Sequence, residues 1–346
     1  MSLVFLAREN LPAWIGRLYQ DMAVFAPMTI NGVAAFRALG QDEIPDLSRI
    51  PASSPKAAVF PQTETLFTFT SRKHADDLSQ VDIDLSYHLA EVPRVILGAR
   101  PCDARGLKLM DPVFGGKVKD PYYLARRERT IIVSQACAMP DRACFCPGTG
   151  GGPYDPAGSD LLLLPVADGW LAQGLTEAGE KLLAQDLFTP AGDREPEAQS
   201  LKDKAEAYLA QAPDMRGAEQ AFENLFKDEA FWDQATAGCV RCRICAYLCP
   251  ACTCFNITDE ESGLKGERIR TWDHCMSYMF TQEASGHNPR MQKAFRMRNR
   301  IGHKFCYYPQ LHGGTVSCTG CGRCVRACPS GIDIRRIVES MKRKGA

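Results

Sequence analysis

The run Cys239-x2-Cys242-x2-Cys245-x3-Cys249-Pro250 recurs 79 residues later as Cys318-x2-Cys321-x2-Cys324-x3-Cys328-Pro329. Nothing else in the 346 residues restricts the fold so tightly. Three thiols spaced by two residues on a tight loop can wrap three iron corners of a cubane. The fourth thiol, three residues on, starts a new segment and points away; in two-cluster ferredoxins it ligates the other cluster. The spacing therefore predicts one [4Fe–4S] cluster on Cys239, Cys242, Cys245 and Cys328. A second is expected on Cys318, Cys321, Cys324 and Cys249. Zinc knuckles use two separated pairs, often with His, and fit less well.

Charge supports this reading. Lys+Arg and Asp+Glu balance at 41 each, yet residues 231–346 carry +9 and residues 1–230 carry −9. Two thiolate-bound cubanes are anionic, so a basic segment compensates them; Arg241, Arg243, Arg323 and Arg326 interleave with the ligands. The run Arg290, Lys293, Arg296, Arg298, Arg300, Lys304 would also suit a nucleic acid on charge alone. Cluster compensation or an acidic partner is preferred, and neither a nucleic acid nor a membrane is expected as partner. The longest apolar runs, such as Leu161 to Leu164, fall far short of the roughly 20 residues a spanning helix needs. The start reads as no signal peptide. Sixteen cysteines in a chain of this size point to metal binding in a reducing, cytoplasmic setting rather than to disulfides.

The chain reads as α+β in two domains. Residues 1–230 form an α/β-like domain, and 231–346 a mainly α, loop-rich, ferredoxin-like domain with a long insertion at 250–317. Residues 1–50 read as a helix or two, with Leu11, Trp14, Ile15, Leu18 and Met22 at helical spacing. Short apolar runs follow at 57–60, 66–70, 92–97, 130–134 and 161–166; those at 94–97 and 130–133 look like buried strands. Helices are expected near 105–110, 121–127, 176–188, 200–211 and 217–229, with a polar break at 189–200.

Four more cysteines lie upstream: Cys102, Cys137, Cys144 and Cys146. Cys102 and Cys137 each follow a strand, where open α/β sheets assemble sites. Four converging thiolates fit a third [4Fe–4S] cluster, and zinc fits the same count. The loop Gly148-Thr149-Gly150-Gly151-Gly152 would let backbone N–H groups reach cluster sulfides. It has no P-loop or dinucleotide fingerprint. Cys252, Cys254, Cys275 and Cys306 are left as thiols near the clusters, with a fourth cluster as the alternative. Asp103, Arg105, His274, His287, His303 and His312 form no recognisable triad, so no catalytic residue is assigned.

Several stretches together carry a resemblance: Gly98-Ala99-Arg100-Pro101-Cys102-Asp103, Cys144-Phe145-Cys146 with its glycine loop, and both ferredoxin runs. Between the runs lie Cys249-Pro250-Ala251-Cys252-Thr253-Cys254, Trp272-Asp273-His274-Cys275 and Gly286-His287-Asn288-Pro289-Arg290. From about residue 55 to 335 the chain resembles the iron–sulfur β subunits of cytosolic sulfhydrogenases. It is similar too to the corresponding iron–sulfur subunit of anaerobic sulfite reductase, and to the flavin oxidoreductase modules that feed heterodisulfide reductases. The resemblance implies three [4Fe–4S] clusters, the third on Cys102, Cys137, Cys144 and Cys146. It implies an electron-transfer subunit without catalysis of its own. FAD and NAD(P) would sit only on a partner flavin subunit, and a hydrogenase, heterodisulfide reductase or sulfite reductase subunit would complete the path. Cys306 has no place in that pattern. A self-sufficient iron–sulfur reductase with its own substrate site is the alternative.

Overall fold

The computed structural model describes residues 3–77, 79–90 and 92–345. Its strands are β1 (Val4–Ala7), β2 (Ala23–Ile30), β3 (Val33–Ala38), β4 (Thr63–Lys73), β5 (Val81–Tyr87) and β6 (Arg94–Ala99). They continue with β7 (Thr130–Gln135), β8 (Leu161–Val166), β9 (Gly169–Gly174), β10 (Phe188–Pro190), β11 (Phe255–Ser262) and β12 (Lys265–Trp272). Eight of them form one sheet in the order β10-β1-β9-β8-β7-β6-β2-β3. Within it β2, β6, β7 and β8 run parallel, and the flanking pairs are antiparallel.

The central strand β6, Arg-Val-Ile-Leu-Gly-Ala, is buried at every residue. Parallel strands are covered on both faces, which is why β6 is apolar throughout rather than alternating. One face packs Trp14, Ile15 and Leu18 of helix Leu11–Asp21 against Val95, Leu97 and Val133. The other packs Ala104, Leu107 and Met110 of helix Pro101–Phe114 against Ile96 and Ile132. The C-terminal ends of β6 and β7 therefore lie side by side, with Cys102 and Cys137 just beyond them.

Several expectations change. Residues 3–50 hold one α-helix and three strands, because Asn31 and Gly32, both at positive φ, close a two-residue β2–β3 hairpin. The apolar run at 57–60 begins in a short 3-10 turn, Pro55–Ala58. The helix predicted over 176–188 ends at Leu183, and Phe188–Pro190 joins the sheet beside β1. The polar break at 189–200 is shorter than expected: helix Glu195–Leu209 begins inside it, with Pro196 in its first turn.

The insertion carries the larger difference. Residues 255–272 form a hairpin, closed by Gly263 at φ 65, in a region expected to be mainly helical and loop. β12 pairs with β4, giving a second, antiparallel sheet in the order β11-β12-β4-β5. The pairing is anchored by a buried ion cluster in which Glu64 accepts from both Arg126 and Arg270. The core beneath the ferredoxin runs likewise joins Phe145, Met215 and Phe222 to Met297, Ile301 and Val338. Sheet pairing and core thus cross the boundary placed near residue 230.

Candidate iron–sulfur sites

Each ferredoxin run makes the same local shape. The first loop turns through left-handed backbone at Arg241 (φ 59) and Arg243 (φ 71); the second does so at the equivalent Gly320 (φ 63) and Gly322 (φ 70). A non-glycine residue in this region costs on the order of 1–3 kcal/mol, so the arginines mark a geometry the loop requires. The surroundings decide which residue fits. Arg241 and Arg243 are exposed. In the second loop a Cβ at Gly320 would lie 2.4 Å from the Cys146 backbone nitrogen, and one at Gly322 2.5 Å from the Ala143 carbonyl. A single helical turn follows each loop, Ile244–Tyr247 and Arg323–Arg326, and carries the chain to the fourth cysteine.

Cys239, Cys242, Cys245, Cys324 and Cys328 line one narrow cavity. The fourth cysteine of the second run thus faces the first three of the first run. On the other side, the Lys304 ammonium donates to Cys249 Sγ at 3.2 Å and to the Ser317 carbonyl at 2.8 Å, tying Cys249 to the start of the second run.

Lys304 belongs to a buried cationic stripe. Arg296, Arg300 and Lys304 recur every four residues along helix Lys293–Gly302 and its π-helical continuation to Tyr307, and all three are buried. Arg300 donates to the Cys245 carbonyl at 2.7 Å and approaches Cys252 Sγ at 3.5 Å. Burial pulls the Lys304 ammonium down; the neighbouring Cys249 and Cys252 sulfurs outweigh it and hold it above the usual lysine range. Of the cations that suggested a nucleic-acid surface, Arg300 and Lys304 point inward at sulfur, whereas Lys293, Arg296 and Arg298 bond to backbone carbonyls.

Two of the upstream cysteines stand just beyond strand ends, and the other two lie on the loop that follows. Cys102 sits in the first turn of helix Pro101–Phe114, directly after β6, and Cys137 follows β7 with its N–H bonded to the Pro153 carbonyl. The loop bearing Cys144 and Cys146 lies against the second ferredoxin loop: Phe145 N–H donates to the Gly320 carbonyl at 2.8 Å, and Cys144 Sγ lies 3.9 Å from the Cys321 carbonyl. A buried ion pair locks the junction, with Arg323 bidentate on Asp103 at 2.5 and 2.9 Å. Burial pushes the Cys137 thiol up to about 11. A bare thiol there keeps its proton at neutral pH, and a metal must displace it to bind.

The glycine loop has a different role from the one expected. The N–H groups of Gly148, Gly150 and Gly151 bond to the carbonyls of Phe145, Pro147 and Cys146 within the loop itself. Gly148 is needed for packing, since a Cβ there would lie 1.9 Å from the Pro213 carbonyl.

Among the described residues, no three His, Cys, Asp or Glu side chains converge closely enough to hold a single metal ion. A cubane spreads its thiolates over four irons, so the thiols grouped around each loop fit a cluster better than zinc. Asp103 is engaged by Arg323, Arg105 donates to the Thr149 carbonyl, and His274 packs edge-on against Tyr247. Cys306 is buried in the same core as Cys275 but does not line the cavity that Cys252, Cys254 and Cys275 share. Lys56 escaped sequence reasoning, being one lysine in an apolar run. Its ammonium is buried, bonded to the Cys252 carbonyl at 3.1 Å and 3.9 Å above the Trp272 ring.

Residues 238–332 match the family model of a 4Fe-4S dicluster domain. The whole chain is also similar to the sulfhydrogenase 2 subunit beta of Pyrococcus furiosus, 26% identical over 348 residues covering 99% of each chain. The two matches support an iron–sulfur β-subunit family. No solved structure matches. The chain is a mixed α+β fold with a 4Fe-4S dicluster match toward its C-terminus, and among the described residues no helix is long and apolar enough to cross a membrane.

Proposed function

We propose that this chain is an electron-transfer subunit holding three [4Fe–4S] clusters between a catalytic oxidoreductase partner and a flavin/NAD(P)H subunit. Iron–sulfur clusters supply one-electron transfer when bound. Cys239, Cys242, Cys245 and Cys328 would hold one. Cys318, Cys321, Cys324 and Cys249 would hold the second, and Cys102, Cys137, Cys144 and Cys146 the third.

The observation that carries this reading is contiguity. The upstream thiols touch the second ferredoxin loop through Cys144 and Cys321, and that loop reaches the first through Cys324. Cys242 is exposed at the far end. Buried Arg300 and Lys304 offset thiolate charge along the way, and the Asp103–Arg323 pair fixes the distance between the upstream site and the second loop. The relative is a hydrogenase subunit by its name, which favours a catalytic partner. A hydrogenase, heterodisulfide reductase or sulfite reductase subunit fits, and hydride chemistry is left to a flavin on another chain.

The test is reconstitution. The isolated chain should be reduced by dithionite and stay inert to NADH or NADPH until a flavin subunit is added. Cys102→Ala should then stop throughput in the complex and leave the partner's reaction with an artificial dye intact. Reduction of the flavin-free chain by NADH, or full throughput with Cys102→Ala, overturns the proposal. Turnover of a substrate by the isolated chain would favour a self-sufficient reductase instead.

A further inference from the structure

Three cysteines outside the twelve share a site of their own. Cys252, Cys254 and Cys275 line one cavity of about 400 Å³, together with Arg300, His303 and Lys304. The β11–β12 hairpin brings them there. Cys254 immediately precedes β11, Cys275 follows β12 by three residues, and the Asp273 N–H bonds to the Cys254 carbonyl at 3.0 Å.

The electrostatics around these thiols is unbalanced. Lys56, Arg300 and Lys304 are 2%, 3% and 4% exposed. Their hydrogen bonds go to carbonyl oxygens and sulfur: Lys56 to the Cys252 carbonyl, Arg300 to Cys252 Sγ, Lys304 to Cys249 Sγ. Among the described residues none of the three pairs with a carboxylate, whereas buried Arg126, Arg270 and Arg323 all do. Buried charges need a partner of opposite sign, or the group sheds its charge. The ferredoxin pair accounts for Lys304 at Cys249. It accounts for Arg300 only in part, since Arg300 serves the Cys245 carbonyl as well as Cys252 Sγ, and it leaves Lys56 at Cys252 with no anion.

We infer that Cys252, Cys254 and Cys275 hold a fourth [4Fe–4S] cluster, with its fourth iron facing the cavity. A C-x-C pair and a distal cysteine supply three corners, and no fourth cysteine lines the cavity. As each Sγ–Fe bond forms, the thiol gives its proton to solvent, so three thiolates form. Their charge answers the cations. A single ion is disfavoured, since these thiols do not converge on one point. The inference extends the proposed relay and is tested separately from it.

Iron and acid-labile sulfide should be counted on the anaerobically reconstituted full chain. The expected content is about sixteen of each, against about twelve for three clusters of four irons. Cys254→Ser with Cys275→Ser should lower it by about a quarter and leave the spin-coupled paramagnetic resonance signal of the ferredoxin pair unchanged. Mild oxidation of the wild-type chain should give a three-iron cluster signal, because a corner without a protein ligand is lost first; the double variant should lack it. A wild-type content of about twelve overturns the inference without folding of any variant being at issue, and so does an unchanged content in a folded double variant. Twelve irons with full throughput would leave the relay standing and remove this site; sixteen irons without throughput would do the reverse.

Discussion

Removing the Asp103 carboxylate tests whether the junction between the upstream site and the second ferredoxin loop rests on one ion pair. Asp103 and Arg323 are 0% and 1% exposed. Arg323 makes two hydrogen bonds to the carboxylate and a third, from Nε, to the Pro51 carbonyl. Asp103→Asn keeps an oxygen for the Arg100 N–H that Asp103 now accepts at the start of its helix, but it removes the charge and turns one acceptor of Arg323 into a donor. What remains is a guanidinium with no carboxylate. Stripping one partner from a buried pair typically costs about 3–5 kcal/mol. Replacing both partners with apolar residues of similar volume, as in Asp103→Leu with Arg323→Met, should recover most of that loss. Because bound clusters break two-state behaviour, matched urea midpoints and cluster bleaching rates serve better than one unfolding free energy. Circular dichroism and visible absorbance under anaerobic conditions would report both. Asp103→Asn should unfold at markedly lower urea and lose its clusters sooner, and the apolar double variant should lie between it and wild type. If Asp103→Asn matches wild type, neighbouring thiolates are the true counter-ions of Arg323. If the double variant is no better than the single, the loss is packing rather than charge.

The crossed ligand sets predict that Cys249→Ser damages the cluster of the 318–324 loop and Cys328→Ser that of the 239–245 loop; paramagnetic resonance showing each change confined to its own loop would reverse the assignment. Lys304→Met removes a cation 3.2 Å from Cys249 Sγ and should make one cluster harder to reduce, by about 60 mV or more, a tenfold change for one electron. A redox titration with unchanged midpoints would show the cation to be screened. Gly320→Ala puts a Cβ 2.4 Å from the Cys146 nitrogen at φ 63 and should destabilise the chain by at least about 1–3 kcal/mol, read by urea midpoint. Arg241→Gly, at the equivalent but open position, should instead be neutral or stabilising. Equal effects of the two would sink the argument that the surroundings, and not the loop shape, choose glycine.

Periodicity exposed helix Leu11–Asp21 and the buried strands β6 and β7, whose residues carry their signal locally. It missed the β2–β3 hairpin although Asn31-Gly32 announced it, and shortened helix Glu195–Leu209 by reading Pro196 as a break instead of a first-turn residue. The basic run at 290–304 was visible as charge. Its direction was not, because a helix with cations every four residues reads the same whether that face meets solvent or sulfur.

Local spacing alone pointed to 4Fe-4S chemistry, which the dicluster match over residues 238–332 supports. Three thiols within seven residues must share one loop, whatever surrounds it, and the fourth must leave it. Those facts depend on covalent reach and backbone geometry, so the two runs declared themselves. Long-range contact decided the rest. The β12–β4 pairing joins residues about 200 apart, Lys56 meets Cys252 across 196, and Asp103 meets Arg323 across 220. No window along the chain holds both partners. The two loops also differ, arginine in one and glycine in the other, at matching left-handed positions. The loop shape asks only for positive φ; whether a side chain can stand there depends on what the fold packs against it.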